Sequence, residues 1–136
     1  MVYSSAAVEP FSPEALRTLL ALARTRNTAA AVTGMLLHVD SVFLQVLEGE
    51  PEVVTALYTK IGADPRHTRM LLLLSQDIKS RNFPDWSMGF FDASGRGSAI
   101  PGYRRNAGFA DLVGDTGKIM RVVADFRDGR WRSLST

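Results

Sequence analysis

The sequence predicts an α+β fold: a ferredoxin-like βαββαβ sheet with an added fifth strand, two helices on one face and short C-terminal helices on the other. Three observations carry this. Two segments that open on proline show apolar residues at helical spacing, and two β-rich runs at hairpin spacing lie between them. Further β-rich runs follow the second helix, which completes the split βαβ order. The chain has 136 residues, of which 46% are hydrophobic and 22% charged, enough for one domain with one sizeable core.

Val2-Tyr3-Ser4 is a short β signal at the start of the chain. Ser12-Pro13-Glu14 then announces a helix, with Ser as N-cap, Pro at the first helical position and an acid in the first turn. Leu16, Leu19, Leu20 and Ala23 form its core-facing stripe, and the helix is expected to fade near Asn27. Val32 to Val39 and Val42 to Glu48 are two strands joined by Asp40-Ser41, a weaker hairpin pair than Asp-Gly. Pro51-Glu52 opens the second helix, whose Val54, Leu57 and Ile61 repeat the stripe and which Gly62 stops.

Asp64-Pro65-Arg66-His67 reads as a loop, since Pro65 disfavours helix at the residue before it. Met70 to Ser75 reads as a fully buried strand, and Trp86 to Phe91 as the last strand. In this topology the first and third strands are central neighbours, and both helices cover one face. A Gly- and Ser-rich connector follows from Ser94 to Gly102. Phe109 to Val113 and Ile119 to Phe126 then read as two short helices, expected to pack on the bare sheet face. The division is residues 1–93 as a main domain and 94–136 as its helical extension.

Composition excludes several classes. There is no cysteine, hence no disulfide, thiolate metal site or cysteine nucleophile. His38 and His67 are too few and too far apart to argue for a metal, and His38 reads as a surface strand residue. The formal charge is +2 and the pI about 9.3, but the arginines are scattered. Arg104-Arg105 with Arg127, Arg130 and Arg132 is the nearest thing to a patch, which argues against a nucleic-acid partner. The longest apolar run, Met70 to Leu74, is far short of the roughly 20 residues that span a bilayer. The start MVYSSAAVEP lacks a basic region followed by an apolar one, so no signal peptide, no membrane and a cytoplasmic location are expected.

The oddest residue is Gln45. Strand alternation puts it on one face with Phe43 and Leu47, where a primary amide is costly unless its donors and acceptors are met. On an edge strand it reaches water; on a central strand it needs a buried polar partner. Tyr3, on the neighbouring first strand, can supply a hydroxyl, and a ligand the rest.

Around this residue the chain resembles a known family. Tyr3-Ser4-Ser5, Val32-Thr33-Gly34-Met35-Leu36-Leu37, Phe43-Leu44-Gln45-Val46-Leu47-Glu48-Gly49, Asp64-Pro65-Arg66-His67 and Arg81-Asn82-Phe83-Pro84-Asp85-Trp86-Ser87-Met88-Gly89-Phe90 resemble, in order, the BLUF domains of flavin-using blue-light sensors. The match runs over roughly residues 1 to 92, and the remainder is similar to the helical extension of single-domain members.

The resemblance implies a non-enzymatic photoreceptor. Its cofactor is FAD, with FMN or riboflavin as alternatives, held non-covalently between the two helices. Tyr3 matches the tyrosine that gives an electron to the excited flavin, and Gln45 the glutamine that bridges this hydroxyl to the flavin edge. Asn27 matches an asparagine that bonds the flavin carbonyl region, although Asn also serves as a helix C-cap. Arg26 falls at a neighbouring contact position. Lys60, Asp64, Arg66 and His67 fall where the family contacts the ribityl and phosphate portions. Trp86 and Met88 match a pair that alternates beside the glutamine; equal parity on the last strand puts both on one face, where plain core packing is the other reading. About 40 residues follow the match, too few for a cyclase domain, so the signal is expected to leave through an unidentified downstream protein. A homodimer through the tail or the exposed sheet is compatible with this. The alternatives are a flavin-free ferredoxin-like interaction module and a small hydrolase; no nucleophile elbow, Gly-rich phosphate loop or paired-carboxylate spacing supports the latter.

Overall fold

The computed structural model describes residues 1–94, 103–104 and 108–129. The connector over 95–102, and Arg105, Arg130 and Arg132, lie outside the described residues. Strands β1 (Val2–Ala7), β2 (Thr33–Val39), β3 (Val42–Glu48), β4 (His67–Leu74) and β5 (Gly89–Asp92) form one sheet in the order β4-β1-β3-β2-β5. All neighbours are antiparallel except β2 and β5, which run parallel. Helix α1 (Pro13–Ala29) lies between β1 and β2, and α2 (Pro51–Gly62) between β3 and β4. A 3₁₀ turn (Ala110–Leu112) and helix α3 (Thr116–Arg127) close the described chain. The sheet is the mixed α+β arrangement expected, with β1 and β3 as interior neighbours.

Alternation divides the core in two. Leu16 and Leu20 of α1 and Val54 and Leu57 of α2 pack on the face that carries Tyr3, Phe43 and Leu47. Each such side chain contributes about 1.5–3 kcal/mol through its removal from water. The opposite face, with Val2, Leu44 and Val46, is covered by Ile119, Val122, Val123 and Phe126 of α3. The C-terminal helix thus takes the face that α1 and α2 leave bare.

Local chemistry sets the element ends. The Ser12 hydroxyl accepts from the Ala15 N–H at 3.0 Å, ahead of Pro13. Helix α1 runs beyond Asn27 to Ala29, and Ala31 behind the cap is held at φ 55°. Asn27 is therefore inside the last turn and is not the C-cap. Asp40 and Ser41 both take positive φ (48° and 67°), the I′ geometry whose twist suits a two-residue hairpin.

Four expectations are corrected. Strand β4 starts at His67, before Met70, because His67 pairs with Ala7 at the far end of β1. It is also an edge strand and not fully buried: Leu72 is 43% exposed, since only β1 flanks it. An unbroken leucine run carries no alternation that would separate an edge from a centre. Strand β5 starts at Gly89, so Trp86 and Met88 precede it and strand parity does not govern them. His38 is buried, because β2 is flanked by both β3 and β5. Its ring stacks obliquely on Phe43 at 4.9 Å, and its Nδ1 lies 3.3 Å from the Asp92 carboxylate.

Candidate functional site

Between α1 and α2, above the β1–β3 face, lies a cavity of about 550 Å³. Leu19, Leu20, Leu22 and Ala23 of α1 form one wall, and Ile61 and Ala63 at the end of α2 the other. Phe43, Gln45 and Leu36 form the floor, with Met88 beside them. This volume is typical of a small-molecule or cofactor site: mostly apolar, with a few polar groups converging.

The floor carries the distinctive polar pair. Tyr3 and Gln45 are directly opposed in the β1–β3 register, and the Tyr3 hydroxyl donates to Gln45 Oε1. Both are buried, at 1% and 8% exposure. Gln45 Nε2 points to the Met88 sulfur at 3.7 Å. A thioether is a weak acceptor, so this buried amide N–H lining the cavity keeps donor capacity for a ligand. Burial drives the phenol pKa of Tyr3 upward, with the Arg26 guanidinium pulling the other way and Tyr58 adding to the rise. The phenol stays protonated, and Tyr58 meets its ring edge-on at 5.0 Å.

The rim is charged. Arg26, Lys60, Asp64, Arg66 and His67 line the cavity. Arg66 binds Asp64 through its Nε (3.1 Å) and Nη2 (2.6 Å), which holds the Asp64 carboxyl down at about 2. Burial lowers the pKa of His67, with Asp64 pulling it up and Arg66 pushing it down, so its neutral ring is favoured. Ser5 Oγ lies 3.4 Å from His67 Nδ1.

Three residues are placed otherwise than expected. Asn27 is fully buried and donates to the Ser87 carbonyl at 2.7 Å; it does not line the cavity. Trp86 and Met88 lie on opposite sides of the sheet. Met88 joins the Tyr3 core, whereas Trp86 packs with the α3 core, stacked on Phe83 at 5.3 Å and leaning on Phe91 at 5.9 Å. The indole folds back over Gly89, where an added Cβ would sit 2.4 Å from the ring. Their shared parity fails because the backbone from Trp86 to Met88 is not strand.

Sequence reasoning missed two residues. Arg24, one turn before Asn27, donates through Nε to the Met88 carbonyl at 3.0 Å, so α1 grips the peptide groups of both Ser87 and Met88. Its place off the apolar stripe gave no sign of this. Glu48 is buried at the end of β3 and accepts from the backbone N–H of Asn82 (2.7 Å) and of Phe83 (2.8 Å). Arg81 bonds the Glu48 carbonyl at 3.3 Å, and Arg127 of α3 reaches Asn82 Oδ1 at 3.3 Å. Glu48 shares strand parity with Leu44 and Val46, the same polar-on-apolar-face signal that singled out Gln45. Among the described residues no group of His, Asp and Glu is placed to hold a metal ion, and no helix is long and apolar enough to cross a membrane.

The model of a family described as sensors of blue light using FAD matches residues 1–89. The chain is 36% identical over 89 residues to a photoactivated adenylate cyclase subunit beta of Euglena gracilis, covering 65% of this chain and 10% of that protein. It is 34% identical over 92 residues to the blue light- and temperature-regulated antirepressor BluF of Escherichia coli (strain K12), covering 68% and 23%. It thus spans a quarter or less of these relatives. Among solved structures, BlrB, a BLUF protein in its dark state, superposes with a TM-score of 0.71 at 30% identity, covering 92% of this chain and 93% of that one. The photo-activated state of BlsA gives 0.76 at 28% identity, covering 93% and 91%.

Proposed function

The chain belongs to the BLUF family of blue-light sensors, and on that premise we propose that it binds a flavin between α1 and α2 and turns light into a change in the Tyr3–Gln45 hydrogen bond. The matched family is a sensor domain and not an enzyme, so the output is a signal without turnover. The observation that carries the reading is the buried Gln45 amide. Its oxygen is taken by Tyr3, while its N–H group, at the cavity, has among the described residues only the Met88 sulfur for partner.

The flavin, when bound, supplies absorption of blue light and an excited state that accepts an electron. Tyr3 supplies the donor, a neutral phenol that is buried. Gln45 supplies a group that is both donor and acceptor, so rotation of its amide reverses which atom faces Tyr3 and which faces the ligand without backbone movement. Met88 senses that rotation by exchanging its contact with Nε2 for one with Oε1. Arg26, Lys60, Arg66 and His67 would hold the polar portion of the ligand, the cations by charge-assisted bonds to phosphate. Asn27 acts on the site indirectly, by fixing Ser87 beside Met88. We assign the output to α3, packed on the far face, acting on a partner protein.

The visible spectrum of the purified protein tests this. A flavin band that shifts reversibly to the red under blue light is expected. A colourless protein that takes up no flavin on reconstitution would sink the reading.

A further inference from the structure

The three carbonyl groups that lead into β5 are each held by a distant segment. The Gly34 N–H of β2 donates to the Trp86 carbonyl at 3.0 Å, and Asn27 Nδ2 donates to the Ser87 carbonyl at 2.7 Å. Arg24 Nε donates to the Met88 carbonyl at 3.0 Å. Gly34 and Asn27 are buried, whereas Arg24 is exposed on α1 and does not line the cavity. The residue whose carbonyl it holds is the one that meets the switch. Met88 is 2% exposed, and its sulfur lies 3.7 Å from Gln45 Nε2.

We propose that Arg24 is a positioning residue that shortens the lifetime of the light-adapted state, acting through Met88. This rests on the amide rotation proposed above and goes beyond it by naming what opposes the rotated state. Before rotation the Met88 sulfur faces an N–H group, from which it accepts weakly. After rotation it faces Gln45 Oε1, and two acceptors at that distance repel each other. The segment from Trp86 to Met88 is not yet strand, so a small backbone shift would carry the sulfur away. The Arg24 bond to the Met88 carbonyl blocks that shift. Relief then has to come from the Met88 side chain itself, which is closely packed with the Tyr3 core. The bond therefore preserves the mismatch, raises the rotated state in free energy and speeds the return.

The test is dark recovery of the red-shifted band in the flavin-loaded full chain. Arg24→Leu removes the donor at an exposed helix position, and leucine matches arginine in helix propensity, so α1 is kept. Recovery should slow about fivefold, the scale of one lost hydrogen bond. Arg24→Lys still offers a donor and should recover within about twofold of the wild type. In a Met88→Leu background no sulfur meets Oε1, so adding Arg24→Leu should alter recovery by less than about twofold. Flavin affinity should be the same throughout, since Arg24 does not line the cavity. Unchanged or faster recovery in Arg24→Leu would overturn the assignment. Equal slowing in both backgrounds would do so too, by marking Arg24 as general scaffolding, as would loss of flavin from Arg24→Leu. A wild type without flavin or without a red shift brings down the rotation reading and this assignment with it. A normal wild-type photocycle with no Arg24 effect brings down this assignment alone.

Discussion

Tyr3 and Gln45 face each other across the β1–β3 ladder, 42 residues apart in sequence, and the buried phenol donates to the amide oxygen. The backbone register fixes which two side chains meet, while the rotatable amide leaves the direction of their bond open to change. A rigid frame around one reversible bond is what a light-driven switch requires.

Tyr3→Phe tests the donor. The ring and its packing on Tyr58 are kept, and Gln45 Oε1 loses its partner. A loss of about 1–2 kcal/mol in unfolding free energy is expected, which leaves the chain folded. Light-minus-dark absorbance of the flavin-loaded variant should be flat. A full red shift would move electron donation to another residue.

Met88 and Trp86 should separate cleanly. Met88→Leu removes the sulfur that Gln45 Nε2 faces and keeps similar volume, so dark recovery should change severalfold. Trp86→Phe acts on the opposite sheet face and should leave recovery within about twofold while it loosens the α3 side. Recovery kinetics of the red-shifted band check both, and equal effects would contradict the opposed placement.

Glu48→Ala should be among the most destabilising single changes in the domain. It strips the acceptor from two backbone N–H groups, one of them on buried Phe83, at about 2–4 kcal/mol. Glu48→Gln keeps one acceptor oxygen and should cost less. Urea midpoints give the order. The variant should also weaken the attachment of α3 through Asn82 and Arg127, seen as faster amide exchange in residues 116–127.

Ala31→Gly should stabilise the protein. Ala31 is exposed and held at φ 55°, a conformation that costs an L-residue about 1–2 kcal/mol. The extra unfolded-state entropy of glycine offsets about half of that, leaving a net gain of about 0.5–1 kcal/mol. Thermal denaturation of the pair measures it.

Stability should fall on acidification through two steps of the same sign. Burial keeps His67 neutral in the fold, below its usual 6.5, so the unfolded chain takes up this proton first. The His67 contribution is complete above pH 6.5 and is lost as pH drops below it. The Asp64 carboxyl, at about 2 against a usual 3.8, contributes fully above pH 3.8 and loses that contribution as pH falls towards 2. His67→Gln should remove the upper step and keep the lower one, as read from urea midpoints across pH.

The sequence by itself determined the order of elements, the helix starts at Ser12-Pro13 and Pro51, and the face on which Gln45 lies. These depend on local chemistry: a cap side chain, the fixed φ of proline and a two-residue strand period. It also singled out Gln45, because an amide between Phe43 and Leu47 contradicts the apolar pattern. Tertiary structure alone decided what depends on neighbours far along the chain. That β4 is an edge and β2 interior follows from sheet order, which one strand's residues do not encode. That Trp86 and Met88 point to opposite faces follows from the indole folding over Gly89, which breaks the parity rule where the strand has not yet begun. Glu48 and Arg24 found their roles in the backbone groups of distant segments, Asn82 and Phe83 for the one and Met88 for the other. Buried Glu48 and exposed Arg24 each bond whatever polar group the fold brings within reach, and that group need not be near in sequence.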